Sequence, residues 1–102
     1  MLHLDLHVQP KTAQRLTKIL SSSLDEEMFA QNVIAYQVGE LRKGILNIRL
    51  DLKQFEEKYR QSTEDFYRQF EQGRTGDTED VILWAGLVEM LQDSELRLEE
   101  LT

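Results

Sequence analysis

The chain has 102 residues, 40% hydrophobic and 30% charged, with a formal net charge of −7 at pH 7. This composition is too apolar for simple disorder, and the absence of cysteine excludes disulfides and cysteine-based zinc sites. Because no run of about 18 apolar residues could cross a bilayer and no basic-then-apolar leader opens the chain, we expect a cytoplasmic protein with no membrane partner.

Residues 2–8, LHLDLHV, alternate apolar and polar side chains without interruption, which is the period of a β-strand. The polar face would carry His3, Asp5 and His7. A lone strand leaves both edges unpaired, and the chain offers no clear second strand. We therefore predict that this strand pairs with the same strand of a second copy, antiparallel about Asp5. The face in the shared core would consist of Leu2, Leu4, Leu6 and Val8.

A paired ribbon followed by helices is the layout of ribbon-helix-helix proteins, which place the ribbon in the DNA major groove. Pro10 suits the first turn of a helix, and residues 11–20 continue it at helical spacing. This layout predicts operator DNA as a partner, contacted at base edges by the ribbon and at phosphates by residues of the first helix and the start of the second. The candidate DNA-binding residues are His3, Asp5, His7, Lys11, Arg15, Ser22 and Ser23.

Asp5 counts against DNA binding, because a carboxylate at the centre of the ribbon repels phosphate, although it can accept a hydrogen bond from cytosine. The alternatives are a ribbon that only holds a dimer together and a strand that adds to another protein. His3 and His7, the only histidines, would lie about 13 Å apart on one strand, too far for one metal ion. We expect no metal, no cofactor and no catalytic residues, and hence not an enzyme.

Residues 24–60 carry the strongest periodic signal, with apolar side chains four and three residues apart over about four heptads. A helix this long should pack against another long helix, and the strand independently requires a second copy. We therefore predict a homodimer, and whether two dimers pair into a tetramer stays open. The seam is Ile34, Val38, Leu41, Ile45, Ile48, Leu52, Phe55 and Tyr59. Its first five residues join Leu4, Leu6 and Val8 as dimerisation candidates.

Two further helices follow a break at residues 60–61. Ser62 with Asp65 three residues later fits the cap of the first helix, and Gly73 fits its end. Residues 78–98 form the second helix, whose acidic first turn suits a helix N-terminus. The predicted fold is therefore mainly α, with an N-terminal β-strand pairing in an intertwined dimer, a long heptad helix and two C-terminal helices.

Charge divides the chain unevenly. Residues 62–102 hold eleven acidic and three basic side chains, a net charge of −8, whereas residues 1–61 have a net charge of +1. An acidic half attached to a neutral half indicates two roles with different partners, although acidic helices also simply keep a small protein soluble. The apolar side chains of the acidic half exceed what one thin helical layer can bury, so we expect some to meet a partner.

Residues 55–73, FEEKYRQSTEDFYRQFEQG, and residues 76–91, GDTEDVILWAGLVEML, combine several short motifs. These are F-E-x-K-Y, S-x-E-x-F, an F-x-x-G step, G-D with an acidic pair, and W-A-x-L. The combination extends over about residues 40–101. It resembles small antitoxins of bacteria, including cyanobacteria, which are the antitoxin halves of type II toxin–antitoxin pairs.

The resemblance implies an N-terminal region that dimerises and represses its operon, and a C-terminal region that binds and blocks a cognate toxin, commonly a ribonuclease. We assign these roles to residues 1–44 and 45–102. The acidic tail would cover a basic RNA-binding site by mimicking the charge of RNA. Competing hypotheses are a helical homo-oligomeric scaffold and a ribbon-helix-helix regulator without a toxin. The toxin-binding candidates are Phe66, Tyr67, Phe70, Trp84, Leu87 and Met90.

Overall fold

The computed structural model describes residues 3–21 and 25–102, and these residues form four α-helices. The helices are α1 (Pro10–Ser21), α2 (Glu26–Tyr59), α3 (Thr63–Glu71) and α4 (Glu79–Leu101). The chain divides into two compact units, residues 1–35 and residues 36–102, with the boundary inside α2. The prediction of a mainly α-helical protein is therefore confirmed.

The predicted N-terminal strand is wrong, and with it the intertwined ribbon and the ribbon-helix-helix fold. Residues 3–9 have no regular secondary structure, and no strand occurs in the described part of the chain. Leu4, Leu6 and Val8 are 69%, 56% and 45% exposed. An alternating pattern favours a strand only where a neighbouring strand supplies the hydrogen-bond ladder, and the described residues contain no such neighbour. The predicted strand also includes Leu2, which lies outside the described residues.

The two helices of the N-terminal half begin at local capping signals. Pro10 is the first residue of α1, where its missing N–H costs no hydrogen bond. Asp25 precedes α2, and its Oδ1 accepts a hydrogen bond from the Glu27 backbone N–H at 3.0 Å. This contact satisfies one of the free amides of the first turn, and the acidic Glu26 and Glu27 suit the positive end of the helix dipole.

Residues 36–102 form a helical unit in which the second half of α2, α3 and α4 share one hydrophobic core. Arg49 on α2 contacts Glu95 on α4 at 2.8 Å. Lys58, later in α2, contacts Asp80, earlier in α4, also at 2.8 Å. Because the later residue of α2 meets the earlier residue of α4, the two helices run antiparallel. Each large apolar side chain buried here stabilises the unit by roughly 1.5–3 kcal/mol. The core residues are Ile48, Leu52, Phe66, Trp84, Ala85 and Val88.

A tight turn joins α2 to α3 and fixes the position of α3. The Gln61 backbone N–H donates to the Glu56 carbonyl at 3.2 Å, and Ser62 accepts the Asp65 N–H as the sequence predicts. The Glu56 carboxylate accepts a further hydrogen bond from the Thr63 N–H at 2.7 Å. One side chain of α2 therefore caps the first turn of α3 and ties the two helices together.

Arg60 occupies the left-handed region of this turn, with φ of 50°, where glycine is favoured. We expect Arg60→Gly to raise the free energy of unfolding by about 1 kcal/mol, because it removes the Cβ strain of this conformation. Urea unfolding followed by circular dichroism measures the change. Arg60→Ala, which keeps the strain and also removes the guanidinium, is the control. Equal stability of the two variants would contradict a backbone origin.

Candidate protein-binding surface

Trp84 is the centre of the core, with 2% of its surface exposed. Its ring stacks on Phe66 with the ring centroids 3.9 Å apart and the planes 3° from parallel. Phe55 and Tyr59 also stack against the indole, at 5.5 and 5.8 Å. The indole N–H donates to the Thr63 Oγ1 at 3.1 Å, so the polar end of the ring is satisfied inside the core. These contacts bind α2, α3 and α4 into one unit.

The six toxin-binding candidates differ in their accessibility. Phe66 and Trp84 are buried, with 3% and 2% exposure, so they shape the surface rather than contact a partner. Tyr67, Phe70 and Leu87 are half-buried, and Met90 is 56% exposed. Tyr67 lines a groove between α3 and α4, whereas Leu87 and Met90 line a groove between α2 and α4. Phe70 lines neither groove and packs against the core.

The α3–α4 groove encloses a cavity of about 370 Å³ with an apolar floor and an acidic rim. Its floor consists of Leu52, Tyr67, Val88 and Leu91. Its rim carries three carboxylates, from Glu64, Glu71 and Glu95, against one guanidinium, from Arg68. Arg68 itself pairs with Asp65 at 3.1 Å, and Glu95 pairs with Arg49. The groove therefore joins a hydrophobic surface to a net negative potential.

Tyr67 lines this groove, and both burial and nearby carboxylates act on the pKa of its phenol. Its hydroxyl points to Glu89, with the Tyr67 oxygen 3.4 Å from the Glu89 Oε1. Partial burial raises the pKa of the Tyr67 phenol, and the nearby charges of Glu89 and Glu71 raise this pKa further. The raised pKa keeps the Tyr67 phenol protonated to a higher pH than that of a free tyrosine.

Asp80 ties the start of α4 to the end of α2. Its Oδ2 accepts hydrogen bonds from the Lys58 ammonium at 2.8 Å and from the Tyr59 hydroxyl. The Lys58 hydrogen bond, followed by that of Tyr59, lowers the pKa of Asp80 below its usual value of 3.8. In return, Asp80 raises the pKa of Lys58 and the pKa of Tyr59. The three side chains form one charge-assisted cluster beside Trp84.

The stability that is lost when the Asp80 carboxylate is removed should depend on pH in a defined way. The lowered pKa of Asp80 means that its stabilisation is present above pH 3.8 and is lost as the pH falls through the folded pKa. The raised pKa of Tyr59 means that its share is present below pH 10.0 and is lost as the pH rises further. We therefore expect Asp80→Asn to be less stable than the wild type at neutral pH. The difference in urea unfolding free energy should shrink at both extremes, and a constant difference would contradict this assignment.

The α2–α4 groove lies on another side of α4 and is mostly apolar. It encloses about 350 Å³ and is lined by Phe55, Leu83, Gly86, Leu87 and Met90, among others. Asp51 is the only carboxylate that lines it. Its chemistry therefore differs from that of the acidic α3–α4 groove.

The N-terminal candidates form no comparable site. His3, Asp5, His7, Lys11 and Arg15 are all exposed. The first three lie in the irregular segment, and the other two lie on α1. The remaining DNA-binding candidates, Ser22 and Ser23, lie outside the described residues.

The dimerisation candidates of the seam fall into two groups. Ile45 and Ile48 are buried within their own chain, at 9% and 7% exposure. Ile34 is 47% exposed, and Val38 and Leu41 are half-buried. Dimerisation through this seam stays a prediction, but its C-terminal part already has α4 as a partner.

Sequence reasoning missed both grooves and the Asp80 cluster. Tyr59 and Asp80 are 21 positions apart, and no local pattern couples them. Glu56 and Thr63 are closer, but a carboxylate that caps the following helix from seven positions away has no sequence signature. The sequence did indicate acidic residues in the first turn of α4, but only as groups that interact favourably with the helix dipole.

No helix in residues 3–21 and 25–102 is long and apolar enough to cross a membrane. The same residues contain no group of three or more His, Cys, Asp or Glu side chains arranged to hold a metal ion. No protein-family model matches the chain, and no curated protein or solved structure matches it either. What the chain does must therefore be inferred from its own surface chemistry.

Proposed function

We propose that the chain is an antitoxin that neutralises a basic ribonuclease toxin, with residues 45–102 as the toxin-binding region. The observation that carries this proposal is the α3–α4 groove, which combines an apolar floor with three rim carboxylates. Residues 62–102 carry a net charge of −8, so this groove lies in the acidic half of the chain. An enzyme that binds RNA presents the complementary positive surface.

The groove suggests how such binding would work. Acidic side chains steer a basic protein into the encounter, and the apolar floor supplies the area that holds it. A partner segment with Lys or Arg beside one large apolar side chain would pair with Glu64 and Glu71 while the apolar group packs on Leu52, Tyr67 and Leu91. Occupation of the RNA-binding surface by these carboxylates would exclude the phosphates of RNA.

Operator binding is left out of this proposal. It depended on a ribbon formed by two N-terminal strands, and residues 3–9 have no strand. The exposed Lys11 and Arg15 alone resemble the solvated charges of any helix surface.

Co-expression tests the proposal directly. The antitoxin function requires an adjacent reading frame that encodes a basic protein, and that frame is expressed alone and together with this chain while growth is recorded. We expect growth arrest in the first case and growth in the second, with a stable complex on gel filtration. A neighbour that is harmless alone, or that remains toxic beside this chain, would exclude the antitoxin function.

A further inference from the structure

Glu64, Tyr67 and Glu71 form one stripe along α3, because positions three and seven residues apart lie on the same face of a helix. All three side chains line the α3–α4 groove. At a rise of about 1.5 Å per residue, the two glutamates are about 10.5 Å apart along the helix axis. This wall of the groove therefore presents two carboxylates at a fixed separation, with Tyr67 between them.

These two carboxylates are not neutralised by their own chain. Within residues 3–21 and 25–102, neither Glu64 nor Glu71 forms an ion pair, and both are exposed. The Arg68 guanidinium, which lies between them in sequence, pairs with Asp65 at 3.1 Å. Glu95, the third carboxylate of the rim, is already paired with α2. A ligand that complements this wall therefore brings two positive charges, one for each end of the stripe.

The space between the two charges requires an apolar group. Leu52 and Val88 are buried beneath the groove, at 6% and 7% exposure, and Leu91 is half-buried beside them. A polar group placed over this floor would lose water without gaining a hydrogen-bond partner from these three side chains. The order that fits the groove is therefore basic, apolar, basic.

The separation of the charges identifies the conformation of the ligand. In an extended segment, side chains on one face recur every two residues, about 6.8 Å, so no pair on that face is 10.5 Å apart. In an α-helix, seven residues rise about 10.5 Å and return to the same face. The side chains three and four residues after the first basic residue then lie on that face, between the two charges. This spacing is the same in both directions, so the match does not depend on the direction of the helix.

We propose that the α3–α4 groove binds an amphipathic helix that carries Lys or Arg at positions i and i+7 and large apolar side chains at i+3 and i+4. The two basic side chains pair with Glu64 and Glu71, and the apolar pair packs on Leu52, Tyr67 and Leu91. The assignment rests on the proposed function, because the helix is the element of the toxin that occupies this groove.

A synthetic alanine-based peptide with Lys at i and i+7 and Leu at i+3 and i+4 tests the spacing without any toxin. Titrated into the full chain by calorimetry, it should bind with a dissociation constant of about 10–100 μM. The control peptide has the same composition, but its second Lys is moved to i+5, about 140° away from the binding face. We expect the control to bind about tenfold more weakly, and circular dichroism checks that both peptides have the same helix content. Equal binding of the two peptides, or no binding of the first at millimolar concentration, would overturn the proposal.

Variants of the chain test where the peptide binds. We expect Glu64→Gln combined with Glu71→Gln to weaken the first peptide by about tenfold, to the level of the control peptide. Glu99→Gln combined with Glu100→Gln is the matched variant, because both residues are exposed near the end of α4, do not line the groove and change the net charge equally. It should change the dissociation constant by less than about twofold. Circular dichroism checks that both variants keep their helices. Equal losses in the two variants would overturn the assignment to the groove.

The peptide titration and the co-expression experiment fail independently. If co-expression relieves growth arrest but the two peptides bind equally, the helix is wrong and the antitoxin function stands. If the neighbouring protein is harmless but the first peptide binds with the expected specificity, the antitoxin function is wrong and the groove remains a site for a basic helix.

Discussion

Trp84→Ala is expected to lower the free energy of unfolding of residues 36–102 by about 3–5 kcal/mol. The substitution removes the ring against which Phe66, Phe55 and Tyr59 stack. It also leaves the Thr63 hydroxyl, which is 9% exposed, without the indole donor. Since the free energy of unfolding of a domain of this size is roughly 5–15 kcal/mol in total, this loss removes a large part of its stability.

Urea unfolding of the full chain, followed by far-ultraviolet circular dichroism, measures this loss. Trp84→Phe is the control, because it keeps an aromatic ring in the stack while it loses the hydrogen bond and part of the ring volume, with an expected cost of about 1–2 kcal/mol. A cost below about 1.5 kcal/mol for Trp84→Ala would show that the core does not depend on the indole. The difference between the two variants measures what one aromatic ring in the stack contributes.

The proposed antitoxin function predicts that Glu64→Lys combined with Glu71→Lys weakens binding of the toxin by about 100-fold, which corresponds to roughly 3 kcal/mol. Both carboxylates lie on the rim of the α3–α4 groove, and each reversal replaces attraction for a basic partner by repulsion. The isolated toxin, titrated into the full chain by calorimetry, gives the dissociation constant. In growth assays the same variant should fail to protect cells.

The control for this pair is Glu99→Lys combined with Glu100→Lys. These two residues are exposed near the end of α4 and do not line the α3–α4 groove, yet their reversal changes the net charge by the same amount. We expect the control to slow association slightly and to leave the dissociation rate unchanged, because distant charges act mainly by steering. Equal losses in both variants would mean that net charge alone drives binding and that the groove is not the site.

The helices of residues 26–101 are the part of the fold that the sequence predicts well. Their signals are local: the Ser62 cap, the glycine after α3 and the heptad spacing each involve residues close together in the chain. The heptad pattern also shows that α2 needs a long partner. It does not show whose helix that partner is, and Ile48 and Leu52 find it in α4 of their own chain.

The N-terminal strand was mispredicted for a related reason. Alternation over residues 3–8 describes two faces, but a strand also needs a ladder of hydrogen bonds that the pattern itself cannot supply. The grooves were beyond prediction because they lie between helices distant in sequence. Arg49 and Glu95, which meet across α2 and α4, are 46 positions apart. Of the properties of the α3–α4 groove, the sequence predicts only the acidic character of the region, residues 62–102, in which most of the groove lies.

The burial of Trp84 gives the molecule an internal optical reporter. It is the only tryptophan in the chain, so all indole fluorescence comes from the junction of α2, α3 and α4. An indole sealed from water emits at shorter wavelength than a solvated one, and emission therefore reports directly on whether this junction is closed. Binding in the α3–α4 groove, whose floor includes the adjacent Tyr67 and Val88, should change the emission without any label. The same side chain that holds the three helices together thus allows their integrity to be followed in real time.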